Sequence, residues 1–383
     1  TTANNNTAVG YNSATANTTG ARNSGFGQSS LLVNTTGNEN TAIGNGSLQA
    51  NTTASNNTAV GNNALAANTT GPDNTAVGAF ALDANTTGEL NVAVGRDALG
   101  TNTTGNFNVA LGRESLKQNT TGDANVAVGL NALQQNTTAD FNIAIGRNAL
   151  VNNTTGTNNV AVGAFAADAL TTGGFSIAIG HNTLTAATTA SSNTAIGFEA
   201  LKACTTGQRN VAIGTNTGNA ITTGSDNVLI GRDAGLSGSP SGNVTTATGQ
   251  VCLGDNAVTD LFCKVSTIQT SDLRDKTDIT DFKHGLSWIE KLKPITYRWD
   301  MRSSYEDGKP DGSKKEEKLH LGFIAQDVIK IEKEHGFASD KNMMLLVNKN
   351  NDGNYGMKYD RVVPILVNAI KELSAKVTAL EAG

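Results

Sequence analysis

A serine and a lysine five residues apart lie where the composition of the chain changes. Residues 270–276 read TSDLRDK, and Ser271 and Lys276 are the two groups in this segment that could do chemistry. A serine hydroxyl is a weak nucleophile that needs an adjacent base, and a lysine serves as that base only when it is neutral, a state that desolvation favours. On a regular helix, five residues would turn the two side chains about 140° apart. The segment must therefore bend, or a second chain must complete the site.

A structural role for Ser271 is the alternative. Serine is a preferred helix N-cap, and Asp272 and Asp275 in a first helical turn would complement the helix macrodipole. This segment alone favours the N-cap, so chemistry at Ser271 has to be supported by the sequence around it.

Charge is divided unequally on the two sides of this segment. The chain holds 28 Lys and Arg against 33 Asp and Glu, and a net charge of −5 gives no reason to expect a nucleic-acid partner. Residues 1–270 contain 9 basic and 14 acidic side chains, whereas residues 271–383 contain 19 of each. The first part is thus a sparsely charged array, and the second has the surface of an ordinary soluble domain.

Composition argues against several classes of site. Cys204, Cys252 and Cys263 follow no CxxC spacing, so we expect no metal site, no cofactor and no disulfide framework. No apolar run approaches the ~20 residues of a membrane span, so membrane insertion is not expected. The chain begins with Thr1 rather than Met, which leaves its natural start open.

The array is an internal repeat. Glycine recurs at every seventeenth position from Gly10 to Gly231, and one further copy ends at Gly254 after a short insertion. Each unit reads approximately N-(T/V)-A-(V/I)-G-x-x-A-L-x-x-N-T-T-G. A fixed period is the signature of a repeat fold, and aromatic residues, at 5% of the chain, are too few for one large core. We predict an all-β parallel β-roll or β-helix of 17-residue rungs over residues 1–254.

The repeat positions have structural explanations. Alternation sends Val92 and Val94 to one face of a short strand and Ala93 to the other, and Leu99 adds a second inward row. One repeat unit at about 3.3 Å per residue gives a perimeter of about 56 Å, enough for two or three short strands per coil. The glycine suits a bend, and Thr-Thr-Gly is typical of a turn.

Asparagine recurs four positions before the glycine, as in Asn91, and seven after it, as in Asn102. Identical rungs would stack these amides into hydrogen-bonded ladders. The alternative is N-glycosylation, since Asn-Thr-Thr fits the acceptor pattern, but a structural ladder already explains the repetition.

The insertion at 236–242 indicates a loop, either a plain excursion or a receptor contact. A change of cross-section over residues 165–235 is also predicted, because the second asparagine becomes Leu170, Ala187, Cys204 and Ile221.

Both faces of each strand are apolar. One face should pack inward on its own coil and the other on a partner chain, which predicts a homo-oligomer. The N-(T/V)-A-(V/I)-G core resembles the repeats of trimeric autotransporter adhesin heads, whose left-handed parallel β-rolls are usually built from units shorter than those of this array. This resemblance implies a trimeric β-roll, and a triple-stranded interwound β-helix is the alternative.

The sequence after the array indicates a β-linker at residues 255–270 and a small α+β domain at residues 271–383. Its last segment is a coiled-coil helix with apolar residues in heptad spacing. The a positions are Val363, Ile370 and Val377, and the d positions are Tyr359, Leu366, Leu373 and Leu380. β-branched a and leucine d residues alone favour two strands; the repeat array and the resemblance described next favour three.

Four motifs follow one another in this domain: SDxRxK from Ser271, LKPITYRW at 292–299, GFIAQDV at 322–328, and YxxxxPxLxxAIKEL from Tyr359. In this order they resemble the endosialidase-type intramolecular chaperone domain at the C-termini of phage tail fibres and tailspikes. The resemblance implies a domain that trimerises, guides folding of the β-structured fibre before it, and then cuts itself off. It places the cleavage serine and lysine at Ser271 and Lys276 and the scissile bond between Thr270 and Ser271. Three residues in or directly before the matched motifs could support the site: His320, Gln326 and Arg361.

The resulting hypothesis is a homotrimeric phage tail-fibre or tailspike segment for host attachment, assembled in the host cytoplasm and located in the virion without its cleaved chaperone. Its expected partners are other tail proteins and a host receptor, either carbohydrate or an outer-membrane component. The first alternative is a bacterial trimeric adhesin-like stalk whose C-terminal domain does not cut. A polysaccharide-degrading array is weaker, because its acidic residues are scattered and form no recurring inward pair.

Overall fold

The computed structural model describes residues 3–258, 260–261, 271, 273–302 and 305–383. The chain forms two compact units, Thr1–Ser239 with Asn243–Asp255, and Pro240–Gly242 with Asn256–Gly383. We call the first unit the shaft and the second the C-terminal unit. The predicted limits 1–254, 255–270 and 271–383 stay predictions, since most of the linker lies outside the described residues.

The shaft is a parallel β-solenoid. Its 15 short strands form one parallel sheet, in which each strand pairs with the next along the chain. Paired strands are one repeat apart, as in Ala93 opposite Ala110, except in the last pair, where the insertion separates Val228 from Val251. This confirms the predicted repeat fold and its rung length. The strands are β1 Thr7–Val9, β2 Ser24–Phe26, β3 Thr41–Ile43, β4 Thr58–Val60, β5 Thr75–Val77, β6 Val92–Val94, β7 Val109–Leu111, β8 Val126–Val128, β9 Ile143–Ile145, β10 Val160–Val162, β11 Ile177–Ile179, β12 Thr194–Ile196, β13 Val211–Ile213, β14 Val228–Ile230 and β15 Val251–Leu253.

Side chains alternate across this sheet as the pattern predicts. In β6, Ala93 points inward and is fully buried, while Val94 points outward and is 39% exposed. Leu99, four positions after the glycine, is also fully buried, and the equivalent alanines and leucines of the other rungs join it in one continuous core. Small inward side chains thus let each coil close on a narrow interior.

The glycine column has room for no other residue. Gly95 has a φ of +138°, and a Cβ there would lie 2.5 Å from the carbonyl oxygen of Gly112 in the next rung. Only glycine adopts such a backbone at low cost. Its missing side chain lets successive rungs approach to the spacing of paired strands.

Each rung contains one strand, so the prediction of two or three is wrong. The cause is backbone with positive φ after the glycine, +56° at Asp97 and +50° at Leu99. Left-handed residues interrupt the extended conformation of a strand. The turns still bond between rungs, as in the 2.9 Å hydrogen bond from the Thr103 N–H to the Thr120 carbonyl.

Both asparagine columns form buried ladders. Asn91 accepts the backbone N–H of Asn108 on Oδ1 at 2.9 Å, and its Nδ2 donates to the Gly105 carbonyl at 2.9 Å. Nδ2 of Asn102 donates to Asn85 Oδ1 at 2.8 Å and to the same Gly105 carbonyl at 3.0 Å. All four asparagines are fully buried. Their amides are engaged inside the coil, which supports the ladder interpretation over glycosylation at these rungs.

The second column changes from amide to apolar without a change of register. The buried Oδ1 of Asn153 has no hydrogen-bond partner among the described residues, because the next residue in the column is Leu170, which cannot donate. Burial raises the pKa of the Cys204 thiol in this column to about 11. The predicted change over residues 165–235 is therefore a change in what fills the coil, carried by the fully buried residues Leu170, Ala187, Cys204 and Ile221.

The C-terminal unit is the small α+β domain that the sequence predicts. It contains the helices α1 Leu286–Ile289, α2 Ala325–Glu334 and α3 Val362–Glu381, with 3₁₀ turns at Leu273–Asp275, Lys341–Met343 and Tyr359–Arg361. Its strands form two antiparallel pairs, β16 Ile295–Tyr297 with β17 His320–Gly322, and β18 Val347–Lys349 with β19 Tyr355–Met357. In the described part of the chain, no helix has both the length and the apolar character needed to cross a membrane.

A buried carboxylate joins α2 to the segment that leads into β18. Glu332 is fully buried, and it accepts backbone N–H groups from Leu345 at 3.3 Å, Leu346 at 2.5 Å and Val347 at 3.1 Å. These three donors compensate the loss of water around the charge.

Candidate functional site

Ser271 and Lys276 are in direct contact. The 3₁₀ turn at Leu273–Asp275 lies between them, and the Lys276 N–H donates to the Leu273 carbonyl at 3.2 Å. Lys276 Nζ donates a hydrogen bond of 2.7 Å to Ser271 Oγ. The bend that the spacing of the pair requires is therefore made within one chain.

Both side chains are exposed in the single chain. A solvated lysine is an ammonium that donates hydrogen bonds and cannot accept the serine proton. A neutral amine could accept it, and desolvation is what favours that form. The contact thus supplies the distance that base catalysis needs, while the burial would have to come from another surface.

No hydrogen bond within the described residues supports Ser271 as a helix N-cap. Its Oγ bonds to Lys276 rather than to a backbone N–H of the short turn at Leu273–Asp275. Thr270, on the other side of the predicted scissile bond, and Asp272 lie outside the described residues.

His320 has an aromatic environment of its own. It lies in β17 and stacks on Tyr297, with 5.6 Å between ring centroids and 24° between ring planes. Its Nε2 lies 3.4 Å from Oε2 of Glu316. These contacts are those of a structural residue on the β16–β17 pair.

Gln326 and Arg361 are also separate from the serine–lysine pair. Gln326 is exposed on the first turn of α2, and Arg361 Nη1 donates to the Leu345 carbonyl at 3.3 Å. In the described part of the chain, no hydrogen bond joins His320, Gln326 or Arg361 to Ser271 or Lys276. A supporting role for them stays a prediction.

Helix α3 has two different faces. Ile365 and Ala369 are buried against the unit, where Nδ2 of Asn368 donates to the Phe282 carbonyl at 2.5 Å. The other face is an uncovered apolar row with exposures from 42% to 81%, formed by Val363, Leu366, Ile370, Leu373, Val377 and Leu380. A helix face of this kind is typical of a seam that packs on another helix.

The outward face of the shaft sheet is also uncovered. We call the first and third residues of β1–β15 the outer strip; it contains no charged residue in any rung. The third residue is always apolar, and Val94, Ile145 and Ile230 are about two-fifths exposed. Both faces of the strand were predicted to be covered. In the single chain, the alanine face is buried and the outer strip is not.

Comparison with known proteins bears on the C-terminal unit. The family model Peptidase_S74, described as Chaperone of endosialidase, matches residues 271–337. The match begins at Ser271 and includes three of the four ordered motifs; the fourth, from Tyr359, lies beyond it. Domains of that family are self-cleaving chaperones, so the match is consistent with an autoprotease and supports a C-terminal chaperone for trimerisation of a β-helical fibre. No curated protein and no solved structure matches the chain.

The sequence patterns did not single out three phenylalanines on the shaft. Phe107, Phe141 and Phe175 each lie five positions before a repeat glycine, in every second rung, and all three are exposed. Their spacing of two repeats was the available signal. Their exposure, which makes the spacing meaningful, required the structure.

Proposed function

We propose that this chain is part of a homotrimeric bacteriophage tail fibre or tailspike, whose C-terminal domain assists assembly and then cuts itself off between Thr270 and Ser271. The observation that carries the proposal is the 2.7 Å hydrogen bond between Lys276 Nζ and Ser271 Oγ, at the first residue of the chaperone match. A hydroxyl in contact with an amine is the smallest arrangement of nucleophile and base.

Ser271 would contribute both the nucleophile and the nitrogen of the scissile bond. Its Oγ attacks the carbonyl carbon of Thr270 while Lys276, as a neutral amine, takes the hydroxyl proton. Collapse of the tetrahedral intermediate breaks the C–N bond, and Lys276 returns the proton to the leaving nitrogen, so that an ester replaces the amide. Water then hydrolyses the ester, which releases the Thr270 carboxylate and restores the Ser271 hydroxyl beside a new amino terminus.

Assembly is the step that would activate the pair. Lys276 is exposed in the single chain, so no described residue there desolvates its amine. A second chain packed over residues 271–276 would desolvate the amine and favour its neutral form. Cleavage would then follow trimerisation, which keeps the chaperone attached until the chains are in register.

The surfaces available for assembly are the exposed heptad row of α3 and the outer strip of the shaft. The heptad row supplies a coiled-coil seam, and the outer strip supplies an uncharged face with an apolar third residue in every rung. Three copies are proposed rather than two, because the matched family is one of trimerising chaperones.

Host attachment is proposed because a shaft with such a chaperone is the expected form of a fibre that reaches a cell surface. Its partners would be a carbohydrate or outer-membrane receptor and other tail proteins, and the virion would retain the shaft after the chaperone is lost. The second candidate is a bacterial adhesin-like stalk with a trimerisation domain that does not cut. The exposure of Lys276 is the observation that favours it.

The test is expression of the full chain and of Ser271→Ala and Lys276→Ala variants, followed by denaturing electrophoresis and intact mass. Wild type should separate into two pieces, residues 1–270 and residues 271–383, and both variants should stay whole. Lys283→Ala removes another exposed lysine nearby and should leave cleavage unchanged. Hydroxylamine present during assembly should trap the ester as a hydroxamate on Thr270.

Three results would count against the proposal or a part of it. Wild type that remains uncut after forming trimers, with size measured by light scattering, would remove the autoprotease and leave the adhesin-like stalk. Full cleavage in Lys276→Ala would assign the base to another group. Cleavage in a particle of two chains would contradict the proposed trimer but not the proposed autoprotease.

A further inference from the structure

The residue five positions before each repeat glycine forms a row along one corner of the shaft, which we call the corner row. Over five successive rungs it reads Phe107, Ala124, Phe141, Asn158 and Phe175. The three phenylalanines are 54%, 60% and 66% exposed. Backbone hydrogen bonds of 3.0–3.1 Å from the N–H of each phenylalanine to the preceding rung fix their positions.

Phenylalanine is an unfavourable choice at this corner. The φ angles of Phe107, Phe141 and Phe175 are +59°, +59° and +60°, in the left-handed region that asparagine and aspartate tolerate better. Other rungs place Asn56 and Asp73 at the same corner with the same sign of φ. The shaft can therefore be built with polar residues here.

Burial does not explain these aromatic residues. Leu99 and its equivalents also have a positive φ, but they are fully buried, and core packing offsets their strain. The corner phenylalanines have no such compensation. Strained residues that the fold itself does not need indicate a functional role.

The three rings have no aromatic partner among the described residues. By contrast, Phe198, which follows its strand in the chain instead of preceding it, stacks on His181 with 5.7 Å between ring centroids. Because each corner phenylalanine is also more than half exposed, its ring is accessible to a molecule that approaches from solvent.

The spacing of the rings suits a ligand with a repeat of its own. Two rungs separate neighbouring phenylalanines, about 9.6 Å at about 4.8 Å per rung. This distance is close to the length of two sugar rings in an extended chain. The small Ala124 and the polar Asn158 leave space between the rings.

A row of polar groups runs beside the corner row. Asp123 and Asp140 are half-buried, and each uses Oδ1 to accept a backbone N–H of the preceding rung, from Asn106 at 2.6 Å and from Asp123 at 2.7 Å. These hydrogen bonds hold the two carboxylates in place, Asp140 directly before Phe141 in the chain and Asp123 in the rung between Phe107 and Phe141. Fixed acceptors beside an aromatic face match a ligand with both hydroxyl donors and apolar C–H faces.

We propose that the corner row from Phe107 to Phe175 binds an extended polysaccharide, whose sugar rings stack on the phenylalanines and whose hydroxyls donate to Asp123 and Asp140. The proposal rests on the attachment role above and names the class of its receptor and the surface that contacts it. A repeating polymer on a repeating row gains affinity from several weak contacts made together. Three copies of the row in one particle would add to this effect.

The test uses the full chain and an array of bacterial capsular and lipopolysaccharide oligosaccharides as the probe. The triple variant Phe107→Asn, Phe141→Asn and Phe175→Asn should lose more than tenfold in affinity for the oligosaccharides that wild type binds. Its thermal unfolding temperature should not fall, because asparagine tolerates the corner backbone. The matched control replaces two exposed apolar residues that directly follow a repeat glycine, Leu130→Asn and Phe198→Asn. This control should bind as wild type does.

Chain length gives a second readout. Oligosaccharides that reach from Phe107 to Phe175, four rungs or about 19 Å, should bind more tightly than those that span two rungs. Equal affinity for both lengths would contradict the multivalent row.

Three results would overturn the proposal. Wild type that binds no member of the array, or a triple variant that binds unchanged, would remove the corner row as a glycan site. A triple variant with altered particle size would assign the row to contacts between chains. Particle size and chain cleavage are measured on the same samples. Wild type that forms trimers and cleaves its chain, but binds no glycan, would refute this site and leave the proposed assembly in place.

Discussion

Replacing Asn108 with alanine should weaken the shaft from inside. The side chain makes three buried hydrogen bonds: Nδ2 donates to the Gly122 carbonyl at 2.8 Å, and Oδ1 accepts Asn125 N–H at 2.9 Å and Asn125 Nδ2 at 3.2 Å. Two of the three partners keep another bond, from Asn119 Nδ2 to the Gly122 carbonyl and from Asn125 Nδ2 to the Ala139 carbonyl. The backbone N–H of Asn125 loses its acceptor.

The expected cost follows from that orphaned donor. An unsatisfied buried N–H costs about 1–3 kcal/mol, and the two other lost bonds, whose partners stay bonded, cost about 0.5 kcal/mol each, so we expect about 2–4 kcal/mol per chain. The same truncation at Asn102 should cost less. Among the described residues, its Oδ1 accepts only the side-chain amide of Asn119 at 2.9 Å, so no backbone donor depends on it. The truncation does leave Asn85 Oδ1 without a donor, but this column already tolerates such an unpaired amide oxygen at Asn153, and buried oxygens go unpaired more readily than buried N–H groups.

Native-state hydrogen exchange of the assembled protein measures this cost locally. Amides of β7 and β8 should exchange roughly 30- to 700-fold faster in Asn108→Ala, at about 1.4 kcal/mol per tenfold change. Asn62→Ala, which removes an exposed asparagine, should change exchange little. Equal acceleration in Asn102→Ala and Asn108→Ala would refute the assignment of the cost to the orphaned backbone donor.

Three further predictions concern other parts of the chain. Gly95→Ala should cost more than about 3 kcal/mol, because it combines a forbidden φ with a backbone clash, and should abolish soluble assembled protein, whereas Gly100→Ala, with its nearest atom at 3.3 Å, should be tolerated. Glu332→Gln should lower the C-terminal unit's free energy of unfolding by about 1–3 kcal/mol, measured by tryptophan fluorescence in urea; unchanged unfolding would mean that the amide satisfies the same donors. Burial raises the pKa of Asp83 above 3.8, so the charge of this carboxylate opposes folding at neutral pH. Asp83→Asn should therefore raise the melting temperature at pH 7, and this gain should vanish as the pH falls below 3.8. A gain in melting temperature that does not depend on pH would contradict the titration of Asp83.

The fold of the shaft was predictable because each position of the repeat has one structural role, and the residue type that suits this role recurs in most rungs. Asn91 and Gly95 recur with their equivalents at fixed places, so the ladder and a bend at the glycine could be inferred from the sequence, whereas the close approach of the rungs at the glycine could not. The single strand per rung could not. Leucine rarely adopts a left-handed backbone, and only the stacking of Leu99 on the neighbouring rungs offsets its strain.

The candidate pair could be singled out from the sequence, whereas its geometry could not. A resemblance in ordered motifs identified Ser271 and Lys276, but their contact depends on a short 3₁₀ turn, which leaves no periodic signal in a sequence. The outward direction of the valine and isoleucine face was equally hidden. Both faces of the strand are apolar, and only closure of the coil decides which one is inside.

The columns of hydrogen bonds also determine how the shaft bears a mechanical load. Bonds between rungs run along the stacking direction, so tension applied along the shaft passes through every rung interface in series. A chain of links in series fails at its weakest one. The step from β14 to β15 departs from the common period, and within the described part of the chain it lacks one bond between rungs: the Gly235 N–H bonds to Ser239 Oγ within the insertion, whereas the equivalent Leu99 N–H bonds to the Ser115 carbonyl of the next rung at 3.0 Å. Under stretching, the last rung should therefore peel away first, and the uniform rungs before it should yield only at higher force.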